Sequence, residues 1–463
     1  DRRQRQMCIR DKYGILELYV RRKTMAAERK TLTQLSVPIC LETLFYMLSG
    51  MVDTLMLSSV SDQAVGAVGT ANTYIGVFII MFGVISSGMV AVMSQNIGAG
   101  KPGIAYQARQ LGLVFNALTG ILMSFILAAF SGWILKIVSI APALLEPAET
   151  YLKIVGGASF LNALIPIFSS YLRVFGYTKH SLIGTVVGNV INIILNSVFL
   201  FVFNWGVMGV AAATVFSKVV NLIIVAAMGA VLIKAKQSPE RAQPRKILAQ
   251  IVKIGFPSAF ETALYNVAMT FIVCFMNHMD TDGMNVTARS YAMQIANFSY
   301  CVGAALAQAN AIMTGWRIGA KKYEECDRGT RKAVIYGLVT ATCFSVTFAI
   351  TGRFIVHIFT NDIQMIELVV KLLVVDIFLE FGRVTNLVYG QALKTSGDAI
   401  FPVIMGAIFM YLFAVGGTYF LGIHMGLLAV GAYIAMAGDE CARAVGMVLR
   451  WKSGKWKSKS LVE

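Results

Sequence analysis

PICLETLFYMLSGMVDT, Pro38 to Thr54, is the stretch that decides how this 463-residue chain is read. It lies in an apolar run from about Leu32 to Leu57, longer than the roughly 20 residues that carry a helix across a bilayer. Within it Glu42, Tyr46, Ser49 and Asp53 fall at i, i+4, i+7 and i+11, which is one face of a helix. Two carboxylates on one seam of a spanning helix are costly in lipid, so the seam faces protein or water. Two readings stand at this point. In one the seam lines a functional site. In the other Glu42 pairs structurally inside the bundle and Asp53 marks the outer boundary.

Outward from this stretch the same character continues. The chain is 57% hydrophobic and 14% charged, with a mean hydropathy of +0.68. A soluble chain would carry about 25% charge, so this is a polytopic membrane protein. Twelve apolar spans run near 32–57, 64–96, 104–130, 148–171, 181–203, 207–233, 251–278, 285–313, 330–352, 364–389, 399–421 and 427–449. All are expected to be α-helices, because a helix satisfies its own backbone in lipid.

Lys and Arg set the orientation. Lys136, Lys153, Arg353 and Lys371 lie in or near odd-numbered loops, and Lys218, Arg289, Arg383 and Arg443 fall inside spans. The others gather in or beside the N-terminal segment, the even-numbered loops and the tail. Both termini are therefore expected in the cytoplasm, with the protein in the cell membrane, plasma or inner. The net charge of +16 is a topology signal that also suits anionic lipid, not nucleic acid. The expected divisions are a basic segment 1–31, a first lobe 32–233, a linker 234–250, a second lobe 251–449 and a basic, mobile tail 450–463. Tyr13 to Val20 reads either as a helix on the membrane surface or as part of a disordered tail.

The seven cysteines form no CxxC, and the four histidines are far apart, so no disulfide framework, metal cluster or cofactor is expected. An intramembrane enzyme would need a nucleophile with its base or paired ligands, and none is visible. A channel would need a repeated pore loop, also not visible.

The opening stretch returns. LSVPICLETLFYM (35–47) aligns with IGFPSAFETALYN (254–266), pairing Pro38 with Pro257, Glu42 with Glu261 and Tyr46 with Tyr265. Further on, Ile97-Gly98-Ala99 matches Ile318-Gly319-Ala320, and Arg173 and Gly176 match Lys394 and Gly397. Each half has an even number of spans, so the fold is an all-α bundle of two six-helix lobes related by a parallel repeat. The halves differ in their polar residues. Asp53 is matched by Ile272, and Asn189, Asn192 and Asn196 of the fifth span by Met410, Phe413 and Gly417.

MVDTLML (51–57), the SQNIGAG region (94–100), LRVFG (172–176), GNVINIILN (188–196), GVMGVAAAT (206–214), LKTSGD (393–398) and RWKSGKW (450–456), in this order and with the repeat, resemble the multidrug and toxic compound extrusion (MATE) family. This family belongs to the multidrug/oligosaccharidyl-lipid/polysaccharide exporter superfamily. The resemblance implies two lobes in a V, alternating access, and export of organic cations driven by entry of H⁺ or Na⁺. It implies an ion-coupling role for Asp53, with Asn192, Asn196 and Thr214 at positions that complete the site in some members. Asn196 departs from the Asp of that pattern. Glu42, Tyr46, Ser49, Asn189, Glu261 and Tyr265 are candidates for substrate contact or the cavity wall.

In the second lobe one branch of the family has an acid where this chain has Tyr265 and another where it has Arg383. A sodium site of that kind is therefore not expected there. Instead Glu380, Arg383, Asn386, Asp439, Glu440 and Arg443 are expected to form a charge network between helices ten and twelve. That network is either structural or part of substrate binding. A lipid-linked sugar flippase of the same superfamily and an exporter of a non-cationic metabolite are the alternative functions. The expected partners are small organic cations and membrane lipid, the expected state a monomer.

Overall fold

The computed structural model describes residues 30–137, 140–235, 238–279 and 282–462. The readings for residues 1–29, the Tyr13–Val20 segment included, lie outside these. Among the described residues there is no strand. Fourteen α-helices follow: α1 Leu32–Ser58, α2 Asp62–Gly98, α3 Pro102–Ala129, α4 Ser131–Ile137, α5 Pro142–Tyr151, α6 Phe160–Val174 and α7 Thr178–Ser197. The rest are α8 Gly206–Leu232, α9 Pro244–Asn277, α10 Met284–Gly319, α11 Tyr323–His357, α12 Ile363–Ser396, α13 Ile400–Phe409 and α14 Leu428–Lys452.

The boundaries have local causes. Ser61 caps α2 by accepting from the Ala64 amide at 3.0 Å, and Asp362 caps α12 by accepting from Gln364 N at 2.9 Å. Pro102 and Pro142 occupy the first turns of α3 and α5, where no amide is missed.

Each of the twelve expected spans falls on helix. Among the described residues, eight helices are long and apolar enough to cross a membrane by themselves. The expected fourth span is instead a broken one: α5 and α6 meet at a 42° bend, after a π-helical turn at Leu152–Gly156. The remaining three, α10, α12 and α14, fall short of that apolar composition. They hold Arg289, Asp376, Glu380, Asp439, Glu440 and Arg443, all buried inside the protein. The fold is thus a twelve-helix membrane bundle, with one short extra helix, α4.

The repeat is visible in backbone detail. Ala99 and Ala320 share φ −79°, ψ 1°, and the next residues, Gly100 and Lys321, turn left-handed at φ 72° and 60°. Matched Gly176 and Gly397 take φ 81° and 101°, which only glycine adopts without strain. The π-helical turn Val198–Val202 that continues α7 matches the one at Thr418–His424.

The chain divides into two compact units. The first holds Leu41–Gly255, so it includes the first turns of α9. One of its cores packs Leu57, Ala67, Ala71, Leu127, Leu152 and Ala211. In this unit α2 and α9 touch backbone to backbone: a Cβ on Gly88 would lie 2.0 Å from Ile251 O, and one on Gly255 1.7 Å from Val84 O. The second holds Leu32–Cys40 and Phe256 onward. Its cores centre on Ile272, Leu372, Leu379 and Tyr433, and on Val384, Val388, Trp451 and Trp456.

The tail is folded, against the expectation of a mobile one. After α14 the chain turns at Gly454 (φ 69°) into a 3-10 helix, Lys455–Lys459. Trp456, 1% exposed, stacks on Trp451 at 4.2 Å, and its indole donates to Trp451 O at 2.9 Å. Asp398, 1% exposed, accepts from Arg450 Nε and Lys459 Nζ, both at 2.7 Å. Lys459 O rests against Gly397, where a Cβ would come within 2.1 Å of it. RWKSGKW was legible as a landmark, but neither the stacking of its two tryptophans nor the pairing of Arg450 with Asp398 could be read from it.

Candidate functional site

In the first unit the seam of α1 splits by depth. Glu42 is buried and its Oε1 accepts from Arg173 Nη2 at 2.8 Å, Ser181 Oγ at 3.0 Å and Thr185 Oγ1 at 3.3 Å. It fastens α1 to the end of α6 and the start of α7. Tyr46 is exposed and Ser49 partly so. Asn189 on α7 donates to Phe45 O at 2.7 Å.

Two turns further along α1, Asp53 Oδ1 accepts from Asn196 Nδ2 at 2.6 Å. The same amide reaches Asn192 Oδ1 at 3.4 Å. Asn192 and Asn196 are one turn apart on α7 and both are buried. The Asn196 Oδ1 atom is buried with no hydrogen-bond partner. Thr214, also buried, stands on α8 near the Tyr151 phenol, which itself feels the Asp53 charge. Lys218, one turn beyond Thr214, interacts electrostatically with Asp53. Asp53 is thus held by the Asn196 amide N–H, with the Asn196 and Asn192 amide oxygens beyond that group and an ammonium acting on its charge. Hard monovalent cations prefer oxygen donors, so this set can take a proton or a small cation on Asp53.

The second unit repeats the Glu42 arrangement in a sparser form. Lys394 Nζ pairs with Glu261 Oε2 at 2.6 Å. Ser181 and Thr185 are matched there by Pro402 and Gly406, and Gly406 lies 3.4 Å, as a built Cβ, from Glu261 Oε1. No hydroxyl accompanies this pair at those positions. The signal for both pairs lay in the repeat, which set Arg173 over Lys394 and Glu42 over Glu261 without showing that they touch.

Between α12 and α14 a chain of charges alternates in sign. Arg383 joins Glu380 and reaches Glu440 at 3.7 Å, and Arg443 joins Glu440 at 2.9 Å and Asp439 at 2.5 Å. Asn386 donates to Glu440 Oε2 at 2.9 Å. Gly382 permits the contact, since a Cβ there would lie 2.6 Å from Cys441 N. Tyr265 remains exposed, while Arg289 reaches Met269 Sδ at 3.7 Å. Asp376, one turn from Glu380 and 3% exposed, was missed from sequence because it sits in an otherwise apolar run. Its signal was that of any ionisable residue inside a span.

Helices that bury acids, amides and paired cations inside a two-repeat membrane bundle define a multi-pass membrane transporter. The chain belongs to the MatE family, whose model matches twice, at residues 38–198 and 257–420, once in each half. It is 32% identical over 445 residues to the uncharacterized transporter YisQ of Bacillus subtilis, covering 95% of this chain and 97% of that one. It is 25% identical to the probable multidrug resistance protein NorM of Thermotoga maritima, over 97% and 98% of the two chains. The fold superposes on the outward-facing conformation of a multidrug resistance MATE family transporter of the MOP superfamily. The TM-score there is 0.86 at 18% identity, over 94% of this chain and 98% of that one.

Proposed function

We propose that this protein is a multidrug efflux antiporter, exporting small organic cations in exchange for H⁺ or Na⁺ by alternating access. The observation that carries the reading is the Asp53–Asn196 bond, which leaves the Asn196 carbonyl oxygen buried and unmatched beside a carboxylate. Lys218 acts on Asp53 only from beyond ion-pair distance, so among the described residues this carboxylate has no ion pair within 4.0 Å and is open to one monovalent cation at a time. An entering ion on Asp53 therefore weakens the hold on a cationic substrate, and its loss restores that hold. Asn192 and Asn196 orient the carboxylate, and Thr214 adds a hydroxyl to the same wall. Glu42 and Glu261, each with a basic partner already, hold helices rather than substrate. The protein acts as a monomer in the cell membrane with both termini in the cytoplasm.

The test is efflux of a fluorescent organic cation from proteoliposomes under separately imposed Na⁺ and H⁺ gradients. One gradient is expected to drive efflux, and Asp53→Asn to reduce that drive at least tenfold, the loss of roughly 1.4 kcal/mol of coupling. Undiminished ion-driven efflux by Asp53→Asn would remove Asp53 from the coupling.

A further inference from the structure

One end of the second unit brings together three segments: the α10–α11 turn, the α12–α13 turn and the tail. Tyr323, at the first of these, lies edge-on to Trp456 at 6.0 Å. Trp451 Nε1 donates to Asp327 at 2.8 Å, and Lys459 closes on Asp398 in the second turn. The two aspartates at this end are already paired: Asp327 also holds Arg331, and Asp398 also holds Arg450.

What is left outside is basic. Lys452, Lys455 and Lys457 are exposed, and none forms an ion pair within 4.0 Å among the described residues. Lys321, Arg328 and Lys332 on the adjoining turn and helix are also exposed and without such a pair. Glu324 is exposed beside them and offsets one of the six.

The depth of these cations is fixed by their neighbours. On α14, Val445 is 59% and Leu449 62% exposed, which is the outward, apolar side of a spanning helix. Lys452 follows Leu449 within one turn. On α11, Ile335 is 57% exposed and Lys332 precedes it by one turn. Cations one turn beyond the last outward apolar residue lie at the level of lipid headgroups.

We infer that the folded tail and the α10–α11 turn form a preorganised docking surface for anionic phospholipid headgroups. The argument is charge complementarity at headgroup depth, on a backbone held rigid by the Trp451–Trp456 stack and the Asp398 pairs. A flexible basic tail would also attract anionic lipid. This surface differs because its lysines are set in place before the lipid arrives, so less order is lost on binding.

The experiment uses the full chain in mixed micelles and measures binding of phosphatidylglycerol against phosphatidylcholine. The intact protein prefers phosphatidylglycerol, and the preference weakens as salt is raised. Replacing Lys452, Lys455 and Lys457 by Gln lowers the affinity roughly fivefold per lysine, the effect of about one charge contact each. Lys371→Gln, an exposed lysine at the opposite end of α12, leaves it unchanged. Trp456→Ala, which keeps all three lysines but removes the anchor, also lowers it, and circular dichroism of that variant confirms that the helices persist.

Three results would overturn the inference. The triple variant could bind phosphatidylglycerol as the parent does. Trp456→Ala could keep the full preference, leaving only a generic basic tail. Inorganic phosphate at matched concentration could stabilise the protein as well as the lipid does, pointing to a free-anion site instead.

Discussion

Asp398 shows how a single buried carboxylate is made affordable. Burial alone would push its carboxyl up, but the Arg450 and Lys459 hydrogen bonds outweigh burial and hold it below its ordinary value of 3.8. Its folded value is below the unfolded one, so its contribution is fully present above the unfolded value and disappears as pH falls through the folded one. Tail docking, followed by protease accessibility of the 453–462 segment, is therefore expected to be constant from pH 7 to about 4 and to fail only below that range. A midpoint between pH 5 and 6 would contradict the assignment. Asp398→Asn should expose the tail at every pH. Residues of this kind were half legible in the sequence. LKTSGD stood out as a landmark, but a carboxylate gives no sign of which distant cations will reach it. The same holds for Glu42, whose place on the seam was readable while Arg173, Ser181 and Thr185 were not. Asp53 stood out as a candidate because it is an acid within an apolar span, but the Asn196 amide that reaches it was not readable as a contact.

At the scale of the element, periodicity and charge located all twelve spans, and failed where a helix is bent or polar. The α5–α6 break is invisible to hydropathy, since both halves are apolar and Pro147 and Pro166 lie to either side of it rather than in it. The α10, α12 and α14 helices were found by length despite their charges, and on α12 and α14 Glu380, Arg383, Asp439, Glu440 and Arg443 are tolerable because they pair with one another. Helix contact also depends on what is missing. Gly88 and Gly255 let α2 and α9 meet through their backbones, as small residues do in membrane bundles. Gly88→Val is expected to lower stability by about 1–3 kcal/mol, since an inserted side chain has backbone rather than a flexible neighbour to displace. Thermal unfolding in detergent checks it. Gly83→Val on the same helix, where a Cβ meets nothing within 4 Å, is the control and should be near neutral.

For the whole molecule, the doubled family match and the repeated turns show one six-helix plan used twice. The plan was legible because its landmarks are turns and helix ends, where few residue types fit. The polar contents of the two halves were not interchangeable, and neither were their structures: three amides face Asp53 and its helix in the first, and an alternating chain of arginines and acids fills the second. The orientation proposed from the basic residues is open to a direct check. In a background without native cysteines, Ser453→Cys should react with an impermeant maleimide only in inside-out vesicles, and Thr360→Cys only in right-side-out ones. The reverse pattern would invert the proposed topology.

The π-helical turns at Val198–Val202 and Thr418–His424 have a mechanical consequence. Each inserts about one residue more than an α-turn needs, so the far end of its span runs one residue out of phase with the near end. Winding such a turn back to α geometry would rotate everything beyond it by about 100°. That rotation exchanges hydrogen bonds without breaking the helix. Both halves of the molecule therefore carry, at matched positions, a stretch of span wound more loosely than the helix leading into it.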